Sequence, residues 1–406
     1  MRALFFSLLA LTPLTVLYSA EAPKPRNGDK LLIAYDDGFS PFYSGRYKTA
    51  ADLRKQMQLF KDTQVSVMEW CITSGSRVNF PAKSAELVGT AVKEYGRRGD
   101  QLAAETLRQL AAEGSDTLQL VSSACREIGI QCYASMRMNG DYSVPELSDL
   151  FNSDFWRAHP EFRILGSKGE VRTPMSYAFP EVRAFRLGIL REAAERDIDG
   201  VDLDFLRHPP FFGYEEPLVK AFQDKYALDP RTLAADDSRW LELRAEVMTN
   251  FLREIRKMLD AAGEKKHRHI GLGARVDWRD HRAVGCDVGA WLKAGLLDYV
   301  VIAQHTLGGY EFDLTPFVEM ARGSGCAVLF GEEGITSGHD TTAAEDKLIA
   351  AGKMVEPPRG VLSLEQLKTR AARWYAAGAD GVHLFNVGNI AAMKLLGTLP
   401  PATPKP

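Results

Sequence analysis

Asp199-Gly200-Val201-Asp202-Leu203-Asp204-Phe205-Leu206-Arg207-His208-Pro209 alternates acidic and apolar residues and then breaks at proline. In an extended chain, residues two apart share a face. Asp202 and Asp204 therefore point one way while Val201, Leu203 and Phe205 point the other. The apolar side asks for burial, and two carboxyls on the opposite side are costly to bury unless they are paired, hydrogen-bonded or put to use. Pro209 and Pro210 stop the strand just after its acidic end. A strand tipped with carboxylates at its C-terminal end fits a (β/α)8 barrel, whose chemistry collects at that face.

Outward from this segment, seven more apolar runs read as strands: Leu31–Tyr35, Val65–Trp70, Ile130–Met136, Ile270–Val276, Tyr299–Gln304, Ala327–Phe330 and Gly381–Phe385. Several are almost continuously hydrophobic, as expected for parallel strands covered by helices. Amphipathic segments lie between them at Ala50–Phe60, Thr117–Glu127, Glu181–Arg196, Ser238–Ala262, Val288–Ala294 and Leu364–Ala377. Eight strands alternating with helices predict a closed parallel barrel, a TIM barrel with extended loops at its C-terminal face. Those loops are the stretches 71–115, 139–180, 208–237 and 332–364. Part of the second, rich in Tyr142, Phe151, Phe155, Trp156 and Tyr177, reads as a small cap.

The first twenty residues pair Arg2 with an apolar run from Ala3 to Leu17 and small residues Ser19 and Ala20, the pattern of a cleaved export signal. Cleavage falls after Ala20 or Ala22. Tyr18 suits the first site poorly and Pro23 the second. Residues 21–398 form the expected barrel domain, and 399–406 a Pro-rich tail. No later run is long and apolar enough to span a bilayer. The formal net charge of -3 comes without a basic block, so no nucleic-acid footprint is expected. The five cysteines are scattered and lack CxxC pairs, which argues against a zinc site or a dense disulfide framework, although a single bridge stays open. No Gly-rich phosphate loop, GxSxG elbow or opening His-x-His motif is present.

The strand ends converge. Tyr35 and Asp36 close the first, Trp70 the second, Arg137 and Asn139 the third, and Asp202, Asp204 and Arg207 the fourth. Arg275, Asp277 and Trp278 close the fifth, His305 the sixth, Glu332 the seventh, and His383 and Asn386 the eighth. Acids, donors and flat aromatic faces at one mouth suit sugars, whose hydroxyls need polar partners and whose C–H faces stack on rings. Glycosidic cleavage needs two carboxyls, one to protonate the leaving oxygen and one to act as nucleophile or to activate water. Asp204 is the first candidate, with a structural pair to Arg207 or Arg275 as the alternative. Glu332, two residues beyond Phe330, is the expected partner, while Glu333 faces away in an ideal strand unless loop geometry reverses it. Asp202, one layer deeper, supports them. Asp277 is a rival acid or a salt-bridge partner of Arg275. Arg137 and Asn139 bind substrate or clamp a loop, and Tyr35, Trp70 and Trp278 are stacking platforms or core lids.

The segment Asp199-Gly-Val-Asp-Leu-Asp-Phe resembles the fourth-strand motif D-G-x-D-x-D-x-E of chitinase-like barrels, but Leu206 stands where their acid would be. It is more similar to the bacterial glycosyl hydrolase-like 10 group, in which a D-G-[IV]-x-x-D element is followed by an aromatic residue or Arg and then Pro. That resemblance implies a barrel acting on glycosidic bonds of an oligo- or polysaccharide, with no cofactor, and does not name the sugar. Two rival readings fit the same residues. One is a catalytically silent carbohydrate-binding barrel. The other is a metal-dependent hydrolase or isomerase using His305, His383 and a barrel carboxylate. Arg137, Arg207 and Arg275 near strand ends raise the expectation of an acidic or sulfated glycan.

Overall fold

The structure, a computed structural model, describes residues 23–45, 47–304, 312–339 and 341–400. Eight parallel strands close into one barrel in sequential order: β1 (Leu31–Asp36), β2 (Val67–Cys71), β3 (Gln131–Arg137), β4 (Gly200–Asp204), β5 (Gly271–Asp277), β6 (Tyr299–Ala303), β7 (Ala327–Glu333) and β8 (Gly381–Phe385). Each coincides with a predicted strand, and β7 runs three residues past the expected end. Helices at Ala50–Met57, Thr117–Glu127, Pro180–Glu195, Ser238–Lys266, Val288–Lys293 and Leu364–Ala376 take the predicted places. Further helices were not predicted, among them Arg98–Ala112 after β2, Glu216–Tyr226 after β4, Thr315–Ala321 before β7 and Ala343–Ala350 after β7. The stretch 139–180 holds the short hairpin Arg163–Leu165/Val171–Met175.

Two apolar layers hold the barrel. Leu32, Ala34, Met68, Trp70, Val201, Leu203, Val300, Ile302, Val328 and Phe330 face the helices in one continuous core. Leu31, Ile33, Val67, Tyr133, Tyr299, Val301 and Leu329 plug the lower interior. Each such aliphatic side chain taken out of water contributes roughly 1.5–3 kcal/mol. The plug includes large rings because the strands opposite them carry glycine. A Cβ on Gly273 would sit 2.1 Å from Cζ of Tyr299, and one on Gly200 2.1 Å from the Tyr133 ring.

Acids just before alternate strands secure the bottom of the barrel. Asp199 accepts the Cys132 amide at 2.9 Å, Asp298 the Leu272 amide at 2.7 Å and Asp380 the Val328 amide at 2.8 Å. In each case the acid before an even strand ties the start of the preceding odd strand. Asp199 also pairs with Arg268, so the first acid of the quoted motif is structural. All five cysteines are buried and free. Among the described residues no helix is long and apolar enough to cross a membrane.

Candidate active site

The inner face of β4 carries Asp202 and Asp204, while Val201 and Leu203 pack under the helices, as the alternation predicts. The strand ladder carries the same parity around the barrel: Arg137 lies beside Asp204, Asp204 beside Arg275, and Glu333 beside Phe385. The upper interior is therefore polar where the lower one is oily.

At its top, Arg275 joins two carboxylates. It is 1% exposed, donates Nη1 to Asp204 Oδ2 at 3.3 Å and Nη2 to Glu333 Oε1 at 2.5 Å, and lies 4.1 Å over the Phe385 ring. Asp204 is fully buried, and its other oxygen accepts the Leu206 amide at 3.0 Å. Glu333 is the more open of the pair, its side chain 16% exposed. Tyr35 and Phe385 stack at 4.3 Å beneath this layer, and Arg137 donates Nε to the Tyr35 hydroxyl at 3.3 Å.

One layer deeper, Glu69 of β2 accepts from the Tyr299 hydroxyl at 2.7 Å and meets His383 Nε2 at 2.9 Å. Burial pushes Glu69 up to about 8 and His383 down to about 3. Both shifts disfavour charge in the dry interior, so the pair's single proton sits on Glu69 and the contact is a hydrogen bond between neutral groups. Asp202 accepts from Ser135 Oγ at 2.8 Å. Burial first, then the charges of Glu69 and Asp204, raise its carboxyl well above the usual range.

Several sequence expectations change. Glu332 lies on the outer face with Val328 and Phe330 and bonds Arg370 of the helix Leu364–Ala376 at 2.9 Å. In a parallel barrel both strand faces are buried, so an apolar run marks the helix side and does not identify the lumen. Glu333 has the inward parity. The same parity places Trp70 outward, fully buried in the helix-side core, where no sugar stacks on it. Asp36 also has outward parity and closes a turn by accepting the Gly38 amide at 2.9 Å. Asn139 is buried and clamps two loops, donating Nδ2 to the Pro210 carbonyl at 2.9 Å. Asp277 stands at the rim and accepts the Arg279 and Asp280 amides, without a bond to Arg275. Trp278 stacks on Phe312 at 5.7 Å, under Arg279.

Asn386 is exposed with a positive φ of 52° and donates its backbone amide to the Tyr35 carbonyl at 3.2 Å. Arg207 lies over Phe385 at 5.8 Å. His305 falls outside the described residues. His383 spends Nε2 on Glu69, and among the described residues no group of three or more His, Cys, Asp or Glu is placed to hold a metal ion. Glu333, expected to face away, joins the site through Arg275, and Glu69, Tyr299, Ser135 and Phe385 join it without having been offered as site residues. Their signal was the inward register shared with Asp202 and Asp204.

The glycosyl hydrolase-like 10 profile matches residues 93–306, just over half of the chain. The chain belongs to the glycosyl hydrolase-like 10 family. The glycosyl hydrolase-like 10 barrel also resembles solved structures. A family GH18 chitinase from Chromobacterium violaceum superposes with a TM-score of 0.52 at 13% identity, covering 96% of this chain and 76% of the chitinase. A β-galactosidase from the psychrophilic Marinomonas ef1 gives 0.51 at 12% identity, covering 87% of this chain and 54% of that one. The chain thus spans about half the length of the galactosidase. These likenesses are of fold, and fold does not fix function. The sequence matches no curated protein. What stands is a glycoside hydrolase-like TIM barrel whose C-terminal mouth holds Asp204, Arg275 and Glu333.

Proposed function

We propose that this protein is an exported glycoside hydrolase that cleaves an oligo- or polysaccharide, with Asp204 and Glu333 as its working carboxyls. The observation that carries the reading is the contact of both with Arg275 at the top of the barrel interior. Two acids fixed by one guanidinium on β4 and β7 present the paired carboxyls that glycosidic cleavage requires. Glu333, with solvent access, is assigned as the proton donor to the leaving oxygen. Asp204, held by Arg275 and the Leu206 amide, is assigned as the nucleophile or the stabilising base. Asp202 orients the layer below from its bond to Ser135. The apolar leader in residues 1–20 supports export.

The test is reducing-end release from a broad glycan panel by wild type, Asp204→Asn, Glu333→Gln and Glu332→Gln. The expected result is cleavage by wild type and Glu332→Gln, with a loss of roughly 10²–10⁴ in either mouth variant. Cleavage that survives both mouth substitutions refutes the assignment. Leu206, buried at the position of the chitinase-like acid, favours a second reading, a carbohydrate-binding barrel without chemistry. It predicts glycan binding with no release by any variant.

A further inference from the structure

Three arginines surround the aromatic pair Tyr35–Phe385, and their partners differ. Arg275 is engaged by Asp204 and Glu333. Arg137, at the tip of β3, gives Nε to the neutral Tyr35 hydroxyl. Arg207, three residues beyond β4, lies over Phe385, and its Nε is buried without an acceptor. Among the described residues neither Arg137 nor Arg207 has a carboxylate bonded to it.

The nearby acids are committed elsewhere. Asp37, whose charge reaches Arg137, accepts the Phe39 amide at 3.1 Å and the Ser40 amide at 2.6 Å. Asp36 and Asp277 hold turn amides. The deeper carboxyls, Glu69 and Asp202, are pushed above the usual range by burial and add little negative charge at neutral pH. The mouth therefore presents two half-buried guanidiniums to which, among the described residues, no carboxylate is bonded. Taking such a cation partly out of water is costly unless an anion arrives, and a guanidinium fork fits carboxylate and sulfate oxygens in pairs.

We propose that the mouth selects an anionic sugar, whose carboxylate or sulfate is held by Arg137 and Arg207, backed by Tyr35 and Phe385. This rests on the mouth being a carbohydrate site, and not on whether bonds are cleaved there.

The test measures binding of the full chain to matched glycans: a polyuronate and its carboxyl-reduced form, and a sulfated glycan and its desulfated form. The expected result is that at least one charged member binds roughly tenfold tighter or more than its neutral counterpart, with the advantage shrinking as salt is added. The arm that shows it tells carboxylate from sulfate. Arg137→Gln and Arg207→Gln should abolish the preference, Arg137→Lys should restore part of it, and Arg279→Gln at the rim should leave it intact. Equal affinity within both pairs, a preference that survives both Gln substitutions, or no binding of any member overturns the inference. Cleavage of neutral glycans without a charge preference removes the anion site and leaves the hydrolase reading standing. Absent cleavage with a charge preference does the reverse.

Discussion

Raising the pH from 6.5 to about 8 should cost this fold about 2 kcal/mol through one buried pair, Glu69 and His383. Folded, the pair holds one proton from about pH 3 to about pH 8, because burial pushes His383 down to the first value and Glu69 up to the second. Unfolded, the two groups return to their ordinary 4.5 and 6.5. They then bind two protons below the lower value, one between and none above the higher. Stability follows the difference in bound protons at about 1.4 kcal/mol per pH unit. Between 4.5 and 6.5 the two counts agree, so the pair adds no slope.

Above 6.5 only the native state keeps the proton, and stability falls as pH rises. Below 4.5 the unfolded chain binds the extra proton, and stability falls as pH drops. In Glu69→Gln only the depressed His383 remains. That variant loses stability as pH falls below 6.5 and is flat, from this pair, above it. Gln keeps an acceptor for Tyr299, so the fold survives the comparison. Urea denaturation of both proteins across pH 5 to 8 gives the difference curve, in which other groups cancel. Parallel curves above pH 6.5 would show that Glu69 is ionised in the native barrel and refute the reasoning.

Gly273→Ala should lower the melting temperature by the equivalent of about 1–3 kcal/mol, because the new Cβ meets the Tyr299 ring at 2.1 Å. Tyr299→Leu in the same chain should recover part of that loss, and strictly additive losses would contradict the contact. Glu332→Gln should shift stability by about 1 kcal/mol or less, since burial already raises this carboxyl to about 7 and the amide still faces Arg370. Glycan release should be unchanged in that variant, and a loss matching that of Glu333→Gln would mean the two faces of β7 have been exchanged. Asp199→Ala should destabilise by about 1–3 kcal/mol, as it orphans the Cys132 amide and takes one of two carboxylate partners from Arg268. Cleavage per folded molecule should hold steady, because Asp199 sits at the end of the barrel opposite the mouth.

The fold was legible because period and order carry it. Eight apolar runs, each followed by a helical stretch or a loop, place every barrel strand within a few residues. The site was legible where polar and apolar residues alternate strictly, as from Val201 to Phe205, since there the acids announce the lumen. It was misread on β7 and β2, where both faces carry apolar or aromatic residues. Phe330 and Trp70 looked like lumen markers and instead face the helices. The unpredicted helix Arg98–Ala112 lies in a connection read as loop, although its Ala and Leu spacing is helical.

By itself the sequence determines the parallel barrel, its strand order and the acids of β4, because burial and the two-residue strand period act locally along the chain. Only the tertiary structure decides which acid joins Asp204. Closing the barrel brings β5 and β7 to one mouth, so Arg275 reaches Glu333 across 58 residues and leaves Glu332 to the helix layer. Closure likewise sets Glu69 against His383, 314 residues apart, and removes the water that would keep both at their ordinary pKa values. Spacing along one strand carries no information about those partners, because proximity across the lumen depends on register around all eight strands.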